Sequence, residues 1–118
     1  MGLFECRSKP DGDGYYPAAA VASVQPDQLM VCKANGQTIV LTRLDGQLYA
    51  FSHVCPHAAG DLSQGDFYRG RVDCPEHGYR FDVRSGRILW PADESYRLQR
   101  FPVKEEAGIV KVKLTPIR

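Results

Sequence analysis

Short runs of β-branched and aromatic residues alternate with turn dipeptides along most of this chain, a pattern that predicts β-strands joined by tight hairpins. Three such runs lie within residues 28–52 and are separated by Asn35-Gly36 and Asp45-Gly46. Asn-Gly and Asp-Gly favour the positive φ angles that two-residue hairpin turns require. Residues 28–52 are therefore predicted to form a three-stranded antiparallel meander.

The rest of the chain continues this pattern. Further strands are predicted at residues 71–73, 79–83, 87–89, 100–105 and 109–114, with turns at Ser85-Gly86 and Ala107-Gly108. No long helix is expected, and Ala18–Val24 is either a helical turn or a first strand, because alanine favours helix and valine favours strand. We expect an all-β fold, with residues 1–17 as a loose N-terminal extension and residues 18–118 as one folded domain.

Length and charge narrow the possible functions. A chain of 118 residues holds one small domain, so demanding chemistry would need a cofactor or a partner. The 15 Lys and Arg residues are balanced by 14 Asp and Glu residues and are scattered, which argues against a nucleic-acid partner. The longest apolar run, Ala18–Val24, is about a third of the ~20 residues that a membrane helix needs, and no signal sequence opens the chain. We expect a soluble cytoplasmic protein with no membrane association.

Two short segments carry candidate metal ligands. They are Cys55-Pro56-His57 and Cys74-Pro75-Glu76-His77, and sixteen residues separate them. Thiolate and imidazole are ligands for zinc, or for an iron–sulfur cluster in which two histidines replace two cysteines on one iron. Zinc fingers usually pair Cys with Cys and His with His, whereas each segment here is mixed. A mixed pair suits a two-iron cluster, because each loop can give its Cys to one iron and its His to the other.

At these residues the sequence resembles the Rieske [2Fe-2S] proteins, whose signature is Cys-x-His followed, after a spacer, by Cys-x-x-His. The resemblance extends over about residues 20–115 and includes flanking positions such as Gly60, Gly78 and Phe81-Asp82. It implies an antiparallel β-sandwich with a cluster-binding subdomain of two loops. It also implies that Cys55 and Cys74 hold the inner iron of a [2Fe-2S] cluster, and that His57 and His77 hold the outer iron at the surface.

Departures from the family pattern indicate which Rieske proteins this chain resembles most. High-potential members carry two further cysteines that join the cluster loops, and Gly60 and Glu76 stand at those places. They also carry a serine and a tyrosine that hydrogen-bond the cluster, where this chain has Tyr79 and Phe81. Fewer hydrogen bonds to sulfur favour the oxidised cluster, so we expect a potential near the bottom of the roughly −150 to +300 mV Rieske range.

The resemblance to soluble Rieske-type ferredoxins implies a one-electron carrier and no catalytic residues. Such a protein would take electrons from an NAD(P)H-dependent flavoprotein reductase and deliver them to a terminal oxygenase. We expect a monomer that meets both partners transiently. Two alternatives stay open, namely a small Rieske-like subunit of a larger reductase such as nitrite reductase, and a zinc-stabilised interaction module.

Other residues of interest have plainer interpretations. His53 is expected to be a loop or solvent residue, and Cys6 and Cys32 small hydrophobes or exposed thiols. Trp90-Pro91-Ala92 is either core packing by the single tryptophan or a third loop that covers the cluster. Asp93-Glu94 is expected to be solvated surface, although acidic patches can steer a partner.

Overall fold

The computed structural model describes residues 9–57 and 60–115. Within them, eleven strands form three antiparallel sheets, and two 3₁₀ turns lie at Val21–Ser23 and Leu62–Gln64. The strands are β1 Tyr15–Ala20, β2 Met30–Ala34, β3 Gln37–Leu44, β4 Gln47–Ser52, β5 Phe67–Tyr68, β6 Arg71–Asp73, β7 Arg80–Asp82, β8 Ile88–Trp90, β9 Arg100–Phe101, β10 Val103–Glu106 and β11 Ile109–Lys113. The predicted all-β class is confirmed.

The hairpin predictions from turn residues are confirmed as well. Asn35 and Gly36 have φ of 50° and 78°, and Asp45 and Gly46 have 51° and 81°, as two-residue hairpin turns require. These turns join β2, β3 and β4 with the register Val31↔Val40 and Val40↔Phe51. The second meander, β6 to β8, also forms where it was predicted.

The central sheet, in the order β2-β3-β4-β9, is covered on both faces. Ile39 and Leu41 of β3 pack into one core with residues of β1 and β11, including Val110 and Val112. The neighbouring Val40 points into a second core. Successive strand residues face opposite sides of a sheet, so a strand buried on both sides must be apolar at nearly every position.

The second core connects the central sheet to the third sheet, whose order is β5-β6-β7-β8. Phe51 of β4 and Phe81 of β7 are fully buried in it. Cys55 and Cys74 belong to the same buried cluster. The loops that carry the candidate ligands therefore start from a buried core.

The structure corrects three details of the sequence-based prediction. Strand β1 begins at Tyr15 and pairs with β11, so the expected loose extension 1–17 ends too late, while residues 1–8 lie outside the described part. Ala18–Val24 is divided, since the strand continues to Ala20 and a 3₁₀ turn follows. The predicted strand 100–105 is two strands, because Pro102 cannot donate a hydrogen bond and the chain changes sheets there.

Across residues 9–57 and 60–115, no helix is long and apolar enough to cross a membrane.

Candidate iron–sulfur site

The two ligand-bearing loops close in the same way. The first follows β4, and the backbone N–H of Cys55 donates to the carbonyl of Gly60 at 2.8 Å. The second joins β6 to β7, and the N–H of Cys74 donates to the carbonyl of Tyr79 at 2.7 Å. In each loop the cysteine thus bonds to the carbonyl five residues later, and the histidine lies inside the closed turn. Each loop thus presents one cysteine and one histidine, with the histidine two residues after Cys55 and three residues after Cys74.

The candidate ligands divide by depth. Cys55 and Cys74 are almost completely buried, with 1% and 2% of their surface exposed. His57 is half-buried and His77 is exposed. The two imidazole rings lie edge to face, with their centroids 5.2 Å apart. The arrangement places two thiols toward the core and two imidazoles toward solvent.

One buried atom indicates that a group is bound at this place. The Nδ1 atom of His57 is buried and has no hydrogen-bond partner among the described residues. Buried polar nitrogens in proteins nearly always have a partner, because leaving one without any costs free energy. An iron atom bound at Nδ1 would supply that partner. The residues present therefore fit a Rieske-type cluster.

Within residues 9–57 and 60–115, no three His, Cys, Asp or Glu side chains are grouped so as to hold a metal ion. A two-iron cluster does not need three protein ligands around one metal ion, because each iron takes only two protein ligands.

Gly60 allows the two loops to approach each other. A Cβ atom placed on this buried glycine would lie 3.0 Å from Sγ of Cys74 and 2.6 Å from Cγ of Glu76. Carbon atoms at such separations overlap, so a larger residue would push the second loop away. The glycine that the resemblance singled out is thus required by close packing of one loop on the other.

Aromatic rings pack against His57. Tyr79 stacks on its imidazole with centroids 3.8 Å apart and an angle of 11° between the rings. Tyr96 meets it edge-on at 5.4 Å, and Trp90 meets Tyr79 at 6.3 Å. Desolvation, followed by the charge of Glu94, raises the pKa of Tyr79 above its usual value.

Sequence reasoning missed this enclosure. The sequence pattern indicates only that Tyr79 replaces a hydroxyl donor, and it gives no signal for Tyr96. Tyr96 lies nineteen or more residues from both histidines, so no local pattern could indicate the contact. Half of the surface of Trp90 is exposed, so the interpretation of Trp90 as a core residue is wrong.

The remaining histidine and cysteines lie elsewhere. His53 is half-buried with its Nδ1 atom 3.7 Å from a carboxylate oxygen of Asp61. Cys32 lies on β2, half-buried at the margin of the first core. Cys6 lies outside the described residues.

A small antiparallel β-protein with buried thiols and outward imidazoles on two similar loops fits the class of proteins that carries an iron–sulfur centre. Comparison with known proteins gives the family. Residues 14–102 match the Rieske [2Fe-2S] domain, and the chain belongs to this family. Its cofactor is accordingly a Rieske-type [2Fe-2S] cluster, as the sequence resemblance implied.

Several relatives are ferredoxin components of oxygenase systems. The chain is 34% identical over 99 residues to the ferredoxin component of naphthalene 1,2-dioxygenase/salicylate 5-hydroxylase systems from a Ralstonia species, covering 82% of this chain and 92% of the relative. It is 27% identical to the ferredoxin component of the alkene monooxygenase system of Xanthobacter autotrophicus, covering 99% and 95%.

A solved structure gives the same result. A chain in the complex of reduced oxygenase and oxidized ferredoxin in carbazole 1,9a-dioxygenase superposes with a TM-score of 0.74 at 26% identity, covering 85% of this chain and 93% of that one. The predicted Rieske fold is confirmed. Family and relatives together identify a ferredoxin-type electron-transfer protein.

Proposed function

We propose that Cys55 and Cys74 hold the inner iron of the cluster and that His57 and His77 hold the outer iron. The observation that carries this assignment is the buried, unpartnered Nδ1 atom of His57 beside the ring of His77. The near-complete burial of both thiols supports their place on the inner side.

The protein's own residues would position the cluster and control access to it. When bound, the cluster supplies one-electron chemistry, because its iron changes oxidation state. Phe51, Phe81 and Leu62 pack around the cysteines and exclude water from their side of the site. Tyr79 fixes the ring plane of His57 by stacking. The exposed ring of His77 leaves a short route between the site and a protein that contacts this surface.

The proposed electron acceptor is a terminal oxygenase and the proposed donor is an NAD(P)H-dependent flavoprotein reductase. Two relatives are ferredoxin components of oxygenase systems, and a similar ferredoxin forms a complex with its oxygenase. A carrier must release each partner quickly, which favours a small interface and a monomeric carrier. Since NAD(P)H is the reductant, the proposed location is the cytoplasm.

The cluster's potential is proposed to lie at the low end of the Rieske range. Phe81 is buried in the second core and has no hydroxyl to donate toward the site. Glu76 is exposed in the second loop, two residues after Cys74, where its negative charge disfavours the addition of an electron. Both effects stabilise the oxidised form.

Single substitutions test the ligand assignment. Cys55→Ala, Cys74→Ala, His57→Ala and His77→Ala are each expected to lose most of the iron and sulfide, because the cluster then lacks one of its four protein ligands. His53→Ala is the matched control and should retain both, since His53 contacts Asp61 instead.

Iron and sulfide analysis of the purified variants gives the result. Retention of a full cluster in any of the four would contradict the assignment. Stoichiometric zinc in place of iron and sulfide in the wild-type protein would favour the zinc-stabilised module.

A further inference from the structure

A cavity of about 370 Å³ lies beside the end of β4 and the segment that leads into β9. Its floor is buried, because Ser52 and Leu98 are only 1% and 4% exposed, whereas Arg97, Arg100 and Thr115 are exposed at its mouth. Among the described residues that line it, none is a candidate cluster ligand. Small-molecule sites have volumes of roughly 300–1,000 Å³, so this cavity is large enough for an organic ligand.

The charged side chains that line the cavity in the described part of the chain are both positive. They are Arg97 and Arg100, and no carboxylate lines it. Asp93 and Glu94 belong to the same connecting segment, but neither lines the cavity. Neither arginine forms an ion pair with a carboxylate of residues 9–57 or 60–115. The cavity therefore has a local positive charge that the protein itself does not balance there.

Other arginines of this protein do have carboxylate partners. Arg87 adds to the imbalance, since it lies opposite Arg97 in an antiparallel bridge, where like charges repel. An anion from outside the chain would relieve this repulsion. The arginines with a carboxylate oxygen at 2.7–3.9 Å are Arg43, Arg71, Arg80 and Arg84.

The Ser85-Gly86 turn helps to fix the two arginine side chains of the cavity. Nη2 of Arg97 donates to the carbonyl oxygen of Ser85 at 2.9 Å. A Cβ atom placed on Gly86 would lie 3.2 Å from Nε and 3.7 Å from Cδ of Arg100, so this side chain runs across the glycine. Side chains that are already positioned lose less conformational entropy when a ligand binds.

Two hydroxyl groups add hydrogen-bond donors to the cavity. Oγ of Ser52 accepts from the N–H of Val54 at 3.1 Å, and Oγ1 of Thr115 accepts from Nε2 of Gln99 at 2.9 Å. Within the described residues, neither hydroxyl donates its own proton to a protein acceptor. Ser52 is buried, and a buried donor without an acceptor costs free energy. An oxygen atom of a bound anion would accept from it.

Two guanidinium groups favour a phosphate group over a carboxylate. A single arginine can bind both oxygens of one carboxylate through parallel hydrogen bonds. A phosphate monoester offers further acceptor oxygens and carries a charge of about −1.5 to −2 at pH 7. It can therefore accept from two arginines at once and balance the charge of both.

We propose that this cavity binds a small phosphate monoester. Arg97 and Arg100 hold the phosphate group. The organic group lies against the apolar part of the lining, which consists of Val54, Pro56 and Leu98.

Phenyl phosphate is the probe, because it joins a phosphate group to a compact apolar ring. Inorganic phosphate lacks the ring, and benzoate carries a carboxylate in place of the phosphate. Isothermal titration calorimetry of the oxidised holoprotein, in a phosphate-free buffer of low ionic strength, measures the affinity of each. Saturation-transfer difference NMR detects the bound phenyl ring independently of the heat of binding.

Phenyl phosphate should bind at one site per chain. Inorganic phosphate should bind several-fold more weakly, because it buries no apolar surface. Benzoate should bind about ten-fold more weakly, because it loses the hydrogen bonds to one of the two arginines.

Arginine variants locate the site. Arg97→Gln and Arg100→Gln should each weaken the binding of phenyl phosphate about ten-fold, because each loses charge-assisted hydrogen bonds. Arg69→Gln is the matched control, since Arg69 is exposed, lies over the ring of Tyr68 and does not line the cavity. It removes the same charge and should bind like the wild type. Unchanged thermal midpoints show that the variants are folded.

Equal affinity in all three variants would overturn the placement of the site in this cavity. Benzoate bound as tightly as phenyl phosphate would overturn the choice of a phosphate. A wild-type protein that gives neither heat nor saturation transfer with phenyl phosphate would overturn the site altogether. The iron and sulfide content of the same samples tests the proposed function separately, because none of the four candidate ligands lines the cavity.

Discussion

At the scale of the residue, the absence of a side chain at Gly60 matters to the site as well as the four proposed ligands. Gly60 brings the first loop against Sγ of Cys74, and the three heavy atoms nearest to a Cβ placed there belong to Glu76 and Cys74. The candidate ligands themselves could be found from the sequence, because each Cys and His pair lies within four consecutive residues. Tyr96 could not be found, since its contact with His57 exists only in the folded chain.

Gly60→Ala tests this close approach. The added methyl group must displace the second loop, which we expect to cost about 1–3 kcal/mol and to lower cluster retention. The measurement is iron content together with the urea midpoint of unfolding. Gly12→Ala is the control, because a Cβ there meets no atom within 4 Å. Wild-type cluster content in Gly60→Ala would contradict the packing described for the loops.

At the scale of the element, local turn chemistry explains which predictions succeeded. Asn35-Gly36 and Asp45-Gly46 determine their hairpins through backbone φ alone, so the first meander could be placed within two residues. The sequence did not predict strand β5, because the strand has only two residues. The Arg69-Gly70 turn that follows it is not a standard turn signal. The change of sheet at Pro102 depends on β9 pairing with β4, a long-range contact.

The two ligand loops are close enough to be joined covalently. A Cβ on Gly60 would lie 3.4 Å from Cβ of Glu76, close to the separation found in disulfides. Gly60→Cys/Glu76→Cys is expected to form this bond on oxidation of the apoprotein and to stabilise it by roughly 3 kcal/mol.

Intact mass before and after alkylation detects the bond, and thermal unfolding measures its effect. The pair Gly12→Cys/Glu76→Cys should stay reduced. Failure of the first pair to cross-link would show that the loops do not meet as described.

The segment before β1 is fixed by an ion pair. The ammonium group of Lys104 lies 2.8 Å from Asp11, and two backbone N–H groups donate to the same carboxylate. The hydrogen bond with Lys104, more than any other contact, holds the pKa of Asp11 well below its usual value. A carboxylate with a depressed pKa stabilises the fold above its unfolded pKa of about 4, and this contribution is lost as the pH falls.

Asp11→Asn should therefore have a lower urea midpoint than the wild type at pH 6. The difference should shrink progressively as the pH falls below about 4, because the wild-type carboxylate then becomes protonated. Asp27→Asn, an exposed position with no ion pair among the described residues, should match the wild type throughout. A pH-independent difference for Asp11→Asn would mean that the charge of Asp11 is not what stabilises the segment.

At the scale of the whole molecule, the central sheet contributes one face to each of the two hydrophobic cores. One face of β3 and β4 closes the core shared with β1 and β11, and the other face packs on the third sheet, which carries the second ligand loop. The sequence showed the strands and the ligands, but not that they share one doubly covered sheet, because sheet order depends on distant contacts. Both halves should consequently unfold together.

The most direct test of the account is low-temperature EPR of the purified protein before and after reduction with dithionite, with iron and sulfide analysis on the same sample. We predict a silent oxidised protein and a rhombic signal on reduction, with an average g value clearly below that of all-cysteine ferredoxins. A redox titration of that signal should give a reduction potential of roughly −150 mV. A sample that stays EPR-silent and contains zinc, or no metal, would contradict the assignment of a Rieske cluster to these four residues.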